Sequence, residues 1–194
     1  MKIRAAEFVG ASGLPDSSLG DGRPEIAFAG RSNVGKSSLL NRLVGRTLAR
    51  ISSKPGRTRT INWYRVDGSW WLVDLPGYGY AKASRTERED WARWIASYFA
   101  RPTGRRLVVQ LVDAKVGATT LDVEGGRYFA GLEVERLVVA TKIDRLRPTQ
   151  RARALAEIAR ALDLNTETEL LAVSATSGEG IRELWKRISD FLAR

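Results

Sequence analysis

Ile26-Ala-Phe-Ala-Gly30-Arg-Ser-Asn-Val-Gly35-Lys36-Ser37 passes from an apolar run into a glycine-punctuated loop and then into a helical pattern. Its last eight residues match G-x-x-x-x-G-K-[ST], in the strand–loop–helix context the motif requires. Gly30 and Gly35 let the backbone curl so that successive N–H groups face inward across Arg31, Ser32, Asn33 and Val34. A helix opening at Lys36 adds its partial positive end. Such a cradle suits a phosphate chain. Lys36 can reach the β- and γ-phosphates, and the Ser37 hydroxyl can ligate Mg²⁺.

Outward from this loop, strand patterns fall at 25–29, 61–66, 70–74, 106–113, 135–140 and 169–173. Helical patterns fall at 36–45, 85–100, 120–130, 149–162 and 178–192. Gly125 and Gly126 count against the 120–130 helix. The alternation predicts an α/β domain with a mostly parallel sheet and helices on both faces. Only Asp67-Gly68-Ser69 separates 61–66 from 70–74, so these two form a hairpin and one strand runs antiparallel. The turn-rich stretch 11–23 sets off an N-terminal extension, 1–23, from the main body, 24–194.

A chain of 194 residues suffices for one domain with a real core. It has no cysteine and no histidine, which excludes disulfides, thiolate metal sites, a His triad and a His general base. Chemistry therefore falls to carboxylates, Lys and Arg, hydroxyls, backbone amides or a bound ion. The net charge is +10 and the pI about 10.4, which points to a polyanionic partner such as nucleic acid. Arg outnumbers Lys 25 to 7, and either phosphate binding or a GC-rich genome accounts for that. No run approaches the ~20 apolar residues of a membrane span, and neither a signal peptide nor a prenylation cysteine is visible. A cytoplasmic protein without a membrane anchor is expected.

Trp71-Leu-Val-Asp-Leu-Pro-Gly77 delivers Asp74 to a strand end, followed by Leu75, Pro76 and Gly77. Beside a phosphate loop, Asp74 can hold a Mg²⁺ shell through water, and Gly77 can bring its N–H against a γ-phosphate. Between the two motifs, Arg50 to Ile61 is polar and basic, with Pro55-Gly56 at its centre. It reads as a loop that orders around a ligand. Thr58 or Thr60 could supply a hydroxyl to Mg²⁺, and either could instead be a strand-edge residue.

Leu137-Val-Val-Ala-Thr-Lys-Ile-Asp144 is a strand ending in T-K-x-D. A carboxylate there can accept from guanine N1–H and N2–H₂, a donor pair that adenine lacks. The Lys142 stem can lie across the base plane. Later, Leu171-Ala-Val-Ser-Ala-Thr176 is another strand end with small residues, where a backbone N–H can approach guanine O6. The competing reading of Asp144 is an N-cap for the helix after Pro148.

Together these motifs resemble the small GTPases, and most closely the EngB (YihA/YsxC) ribosome-biogenesis GTPases among the Era/EngA-like proteins. The residues carrying the resemblance are Pro24 to Ser38, Lys54-Pro-Gly-Arg-Thr-Arg-Thr-Ile-Asn62, Val73-Asp-Leu-Pro-Gly-Tyr-Gly-Tyr-Ala81 and Thr141-Lys-Ile-Asp144. The resemblance implies a Ras-like fold with six mostly parallel strands. It also implies Mg²⁺-dependent binding and hydrolysis of GTP to GDP, with Lys36, Thr58 and Gly77 in the catalytic site and Ser37, Thr58 and Asp74 toward Mg²⁺. It makes Gly56, Arg57, Thr58, Arg59 and Thr60 the first switch, selects Thr58 over Thr60 toward Mg²⁺, and assigns Thr141, Lys142, Ile143, Asp144, Val173, Ser174 and Ala175 to guanine. The implied partners are ribosomal RNA and a large-subunit precursor, with a link to cell division and septation, for a protein acting as a monomer.

Thr141 replaces the usual Asn of small GTPases, as the EngB family itself does. Tyr78 stands where Ras-type enzymes place the water-orienting Gln, so slow intrinsic turnover is expected. Some related GTPases use an Asn at the position of Asn33 to hold K⁺. The alternative is an Asn33 amide bonded to a phosphate oxygen or a switch loop. Nothing is carried over for 113–131.

Arg46, Arg50, Lys54, Arg57, Arg59 and Arg65 crowd the first switch, and Lys82, Arg85, Arg88 and Arg93 follow the second. On one face they would form a nucleotide-dependent RNA surface. Trp91, Trp94 and Tyr98 recur at helical spacing and read mainly as a core stripe. A P-loop small-molecule kinase is countered by Asp144 and the Asp74–Gly77 segment. A vestigial RNA module is countered by intact Lys36, Ser37 and Asp144.

Overall fold

The computed structural model describes residues 3–12, 21–45, 60–78, 85–101, 104–132, 134–164 and 169–194. Strands β2 (Glu25–Gly30) and β5 (Arg106–Asp113) are buried along their whole length. That fits central strands of a parallel sheet covered on both faces. The remaining strands are β1 (Ala6–Ser12), β3 (Ile61–Val66), β4 (Trp70–Asp74), β6 (Glu135–Thr141) and β7 (Leu170–Ala172). The order across the sheet is β1-β3-β4-β2-β5-β6-β7. The strands β4, β2, β5, β6 and β7 are parallel, and β3 runs antiparallel to β4. Asp67 and Gly68 turn the β3–β4 hairpin with φ of 47° and 66°, the left-handed pair that suits a tight hairpin.

The sheet has seven strands among the described residues, one more than the six expected. The added strand, β1, comes from within residues 1–23 and pairs antiparallel with β3. A register shift between Phe8 and Gly10 breaks its period of two, and Phe8 and Val9 stay exposed. An edge strand with a bulge gives no alternating signal to read. The Asp67 carboxylate accepts the N–H groups of Arg4 and Ala5, fastening the start of β1 to the hairpin turn.

Among the described residues five α-helices cover the sheet: α1 (Lys36–Val44), α2 (Arg85–Ala100), α3 (Thr120–Ala130), α4 (Pro148–Leu162) and α5 (Ile181–Leu192). Alternation along the strands sorts the contacts. Ile26, Phe28, Val109 and Leu111 face α1 and α5 through Leu39, Leu43, Leu184 and Phe191. Ala27, Ala29, Trp63 and Val73 face α2 and α3 through Ile95, Tyr98 and Phe129. Val112, Val138 and Ala140 pack on α4 through Ile158 and Leu162. Tyr98 is fully buried, Trp91 packs against the same cluster and Trp94 is half-buried. The stripe on α2 is therefore chiefly core.

Helix α3 forms despite its glycine pair, and Gly126 stands where α3 packs closely on its neighbours. A Cβ on Gly126 would lie 3.0 Å from Leu162 and 3.2 Å from Arg136. Strand β2 has β4 on one side and β5 on the other, so the chain diverges at its carboxyl end and opens a crevice there.

Candidate nucleotide site

The loop from Gly30 to Ser37 joins β2 to α1 at this crevice. Asn33 and Gly35 take positive φ, 66° and 102°, so the chain reverses before α1 begins at Lys36. Lys36 is nearly buried, and its Nζ pairs with the Asp74 carboxylate at the end of β4. Asn62 Nδ2 donates to the other Asp74 oxygen at 3.4 Å, and Thr60 Oγ1 lies 3.4 Å from Asn62 Oδ1. Ser37 follows in the first turn of α1. Gly56, Arg57, Thr58 and Arg59 lie outside the described residues.

After Asp74 the chain continues alongside β2 into the phosphate loop. Leu75 N–H donates to Phe28 O at 3.0 Å, and Tyr78 N–H donates to Gly30 O at 3.3 Å. Ser32 N–H donates to Tyr78 O at 3.0 Å. Gly77 is pressed so closely to this loop that a Cβ would sit 3.2 Å from Ser32 N. Trp91 Nε1 donates to Pro76 O at 2.9 Å, a link from α2 that the spacing of aromatics did not reveal. The Tyr78 side chain turns into the body of the protein. Burial, reinforced by Asp122, pushes its phenol well above the usual tyrosine range.

The T-K-x-D loop closes the other side. Thr141 Oγ1 donates to Val34 O at 2.6 Å, which fastens the end of β6 to the phosphate loop. Lys142 has φ of 58°, and its Nζ donates to Asn33 O at 2.7 Å and to Asp113 Oδ2 at 2.7 Å. The Asn33 main-chain carbonyl is thereby engaged. Asp113 ends β5 and is a member of this cluster that no motif pointed to.

A cleft opens here, lined among others by Gly35, Thr141, Lys142, Asp144, Val173 and Ala175. Asp144 is exposed within a single 3-10 turn, Ile143–Arg145. The N-cap of α4 is Arg147, not Asp144, with Pro148 in the first helical turn. Ile143 N–H donates to Val173 O at 3.2 Å. Buried Ser174 accepts the N–H groups of Thr176 and Ser177, which folds the loop so that Ala175 borders the cleft.

Of the basic residues near the first switch, Arg46, Arg50, Lys54, Arg57 and Arg59 lie outside the described residues. Arg65 points to the sheet edge, where Nη2 pairs with Glu7 of β1 at 3.0 Å. Lys82 and the side chains of Arg85 and Arg88 are likewise outside, and Arg93 is exposed on α2.

A parallel sheet covered on both faces, with a phosphate-loop motif and a T-K-x-D loop meeting at its carboxyl edge, defines a P-loop GTPase. The family profile described as "50S ribosome-binding GTPase" matches residues 25–142. The probable GTP-binding protein EngB of Pelotomaculum thermopropionicum is 45% identical over 193 residues, covering 99% of this chain and 98% of the relative. Its counterpart from Natranaerobius thermophilus is 39% identical, covering 99% and 100%. The crystal structure of a probable GTP-binding protein EngB superposes with a TM-score of 0.70 at 26% identity, covering 87% of this chain and 98% of that one. A structure of Era with MgGDPNP and nucleotides 1506–1542 of 16S ribosomal RNA gives 0.66 at 27% identity, covering 86% and 56%. The chain belongs to the EngB family of GTP-binding proteins, and its activity is that of a GTPase.

Proposed function

We propose that the chain is a Mg²⁺-dependent switch that hydrolyses GTP to GDP during assembly of the large, 50S ribosomal subunit, with a link to cell division and septation. The observation that carries this is the convergence of three loops on one cleft: Lys142 is bonded to Asn33, Thr141 to Val34, and Lys36 to Asp74. The family description and the RNA and MgGDPNP held by the Era structure support it. A cytoplasmic monomer fits this role. Among the described residues no helix is long and apolar enough to cross a membrane. Residues 24–194 form the GTP-binding unit in this reading, with 1–23 adding an edge strand.

Each residue then has a task. The backbone of Gly30 to Ser37 and the Lys36 ammonium hold the phosphates. Asp144 accepts the guanine edge, the Lys142 stem covers the base, and the segment Val173 to Ala175 offers a backbone N–H to O6. Gly56 to Thr60 form the first switch, and Asp74 to Gly77 begin the second. Ser37, Thr58 and, through water, Asp74 would hold Mg²⁺, an all-oxygen donor set that suits a hard cation. Bound there, the ion would neutralise charge on the phosphates. In the structure described, Lys36 and Asp74 neutralise each other; a triphosphate competes for Lys36 and frees the Asp74 carboxylate. Tyr78 is turned away toward α3, so its phenol does not orient the attacking water, and intrinsic turnover is slow. K⁺ held by the Asn33 side chain would stabilise transition-state charge. Turnover is then faster in K⁺ than in Na⁺ at matched ionic strength, and Asn33→Ala abolishes the difference. Equal rates in both salts remove this ion.

The test of the switch is co-sedimentation of the protein with large-subunit precursors, in GDP and in a non-hydrolysable GTP analogue. Binding is expected in the analogue and to fall with salt, each phosphate contact adding about −0.7 to −0.9 to the log–log slope. Equal binding in both nucleotides, or a flat salt response, overturns the reading.

A further inference from the structure

Helix α3 contributes no residue to the nucleotide site as read above, yet its first turn is built into that site. Asp122 is fully buried. Its Oδ2 accepts from Arg31 Nε at 2.9 Å, Thr119 N–H at 2.9 Å and Thr119 Oγ1 at 2.7 Å. Its Oδ1 accepts from Tyr78 Oη at 3.2 Å. The Thr119 bonds account for capping α3. The other two donors do not belong to α3 at all. Arg31 and Tyr78 are the residues joined by the isolated bridge between the phosphate loop and the start of the second switch. Buried Gln110 on β5 donates to the Asp122 main-chain carbonyl at 2.8 Å, so the carboxylate is anchored to the sheet. One turn into α3, Gly125 faces the Tyr78 ring, where a Cβ would lie 3.4 Å from it, an ordinary contact distance. From α2, Trp91 meets the ring edge-on at 5.9 Å.

We propose that Asp122 is a positioning residue of the GTPase: through Arg31 and Tyr78 it holds Gly77 against Ser32, and so sets where the Gly77 N–H meets the γ-phosphate. The proposal rests on the nucleotide-site reading above. It separates the two nucleotides. Among the described residues Asp122 touches the phosphate loop only at Arg31, whereas the segment that senses the γ-phosphate in that reading is fastened to it through Tyr78. Loss of the carboxylate charge therefore weakens GTP binding and leaves GDP binding nearly unchanged.

The experiment is calorimetric titration of the full chain with GDP and with a non-hydrolysable GTP analogue, both with Mg²⁺, for wild type, Asp122→Asn, Tyr78→Phe and the double variant. Asp122→Asn is expected to weaken the analogue about five- to tenfold while GDP stays within about twofold, as for loss of a charge-assisted bond. Tyr78→Phe shifts the ratio in the same direction. The double variant falls short of the summed effects, because the two act through one contact. Equal weakening of both nucleotides, like no weakening of either, leaves the ratio unchanged and removes the positioning role. If Asp122→Asn does not fold, Tyr78→Phe, which loses one hydroxyl, decides by the same ratio. Wild type that binds neither nucleotide overturns the site reading and this proposal with it. Wild type that binds both, with variants of unchanged ratio, overturns this proposal alone.

Discussion

At the amino-terminal edge of the sheet, the fully buried Glu25 carboxylate accepts from Arg101 Nη2 at 2.5 Å, Tyr98 Oη at 2.7 Å and Arg106 Nε at 3.0 Å. The Arg101 guanidinium lies 4.5 Å over the Trp63 ring, and that of Arg106 4.2 Å over Tyr98. At the carboxyl edge, nearly buried Lys36 faces the single carboxylate of Asp74 beside a cleft open to solvent. Both edges take charge out of water, and both must compensate it. The amino-terminal cluster does so with several partners at once, so no ligand can exchange with them. The carboxyl edge does so with one cation per carboxylate, Lys36–Asp74 and Lys142–Asp113, the remaining partners being neutral, so an incoming anion can compete for the lysine. The number of charged partners, two guanidinium groups on Glu25 against one lysine on Asp74, separates a staple from an exchangeable site.

The largest effect is expected from Glu25→Ala. Two buried guanidinium groups lose their shared counter-charge, and unfolding free energy falls by about 3–5 kcal/mol. Denaturant titration checks this; a loss under about 1 kcal/mol would place the Glu25 cluster among marginal ion pairs. Next, Lys36→Ala weakens both GTP and GDP by roughly 10- to 100-fold, because a charge-assisted contact to phosphate is lost. Unchanged affinity in a folded variant would rule out the phosphate-loop assignment. The Asp144→Asn variant acts on the base alone: preference for GTP over the xanthine nucleotide falls by roughly tenfold or more, since an amide can donate to the xanthine carbonyl. Persistence of the wild-type preference would move the base reader elsewhere.

The smallest effect concerns alkaline pH. Burial first, then the Glu25 charge, raises the Tyr98 phenol well above its ordinary value of about 10. The folded state therefore favours the protonated phenol. Its contribution is complete below about pH 10 and is lost as pH rises toward the folded value. Wild type should lose stability above that pH more steeply than Tyr98→Phe, and matching profiles would exclude Tyr98 as the cause. Tyr64, raised to about 12 by burial and by Asp74, loses its contribution in the same sense over a narrower window, so the Phe variant retains part of the slope.

The phosphate loop, the β3–β4 hairpin and the T-K-x-D turn were legible because each is a contiguous stretch whose backbone geometry its own residues dictate. Gly35 at φ 102° and the Asp67-Gly68 turn do locally what the spelling requires. Helix α3 was doubtful for the same reason: local propensity counts two glycines against it and has no view of Leu162, Arg136 or Tyr78 packed against them. Strand β1 was invisible because its bulge removes the alternation by which strands are read.

By itself, the sequence determined the phosphate cradle, the reversed strand and the order of strand ends, since neighbours along the chain settle them. Tertiary structure decided which distant side chains compensate one another. Arg31 meets Asp122 across 91 positions, Lys142 meets Asn33 across 109, and Tyr98 meets Glu25 across 73. A charge read along the chain is merely polar. Burial raises the cost of leaving it unpaired, and the partner is fixed by which strand ends and helix turns the sheet brings together.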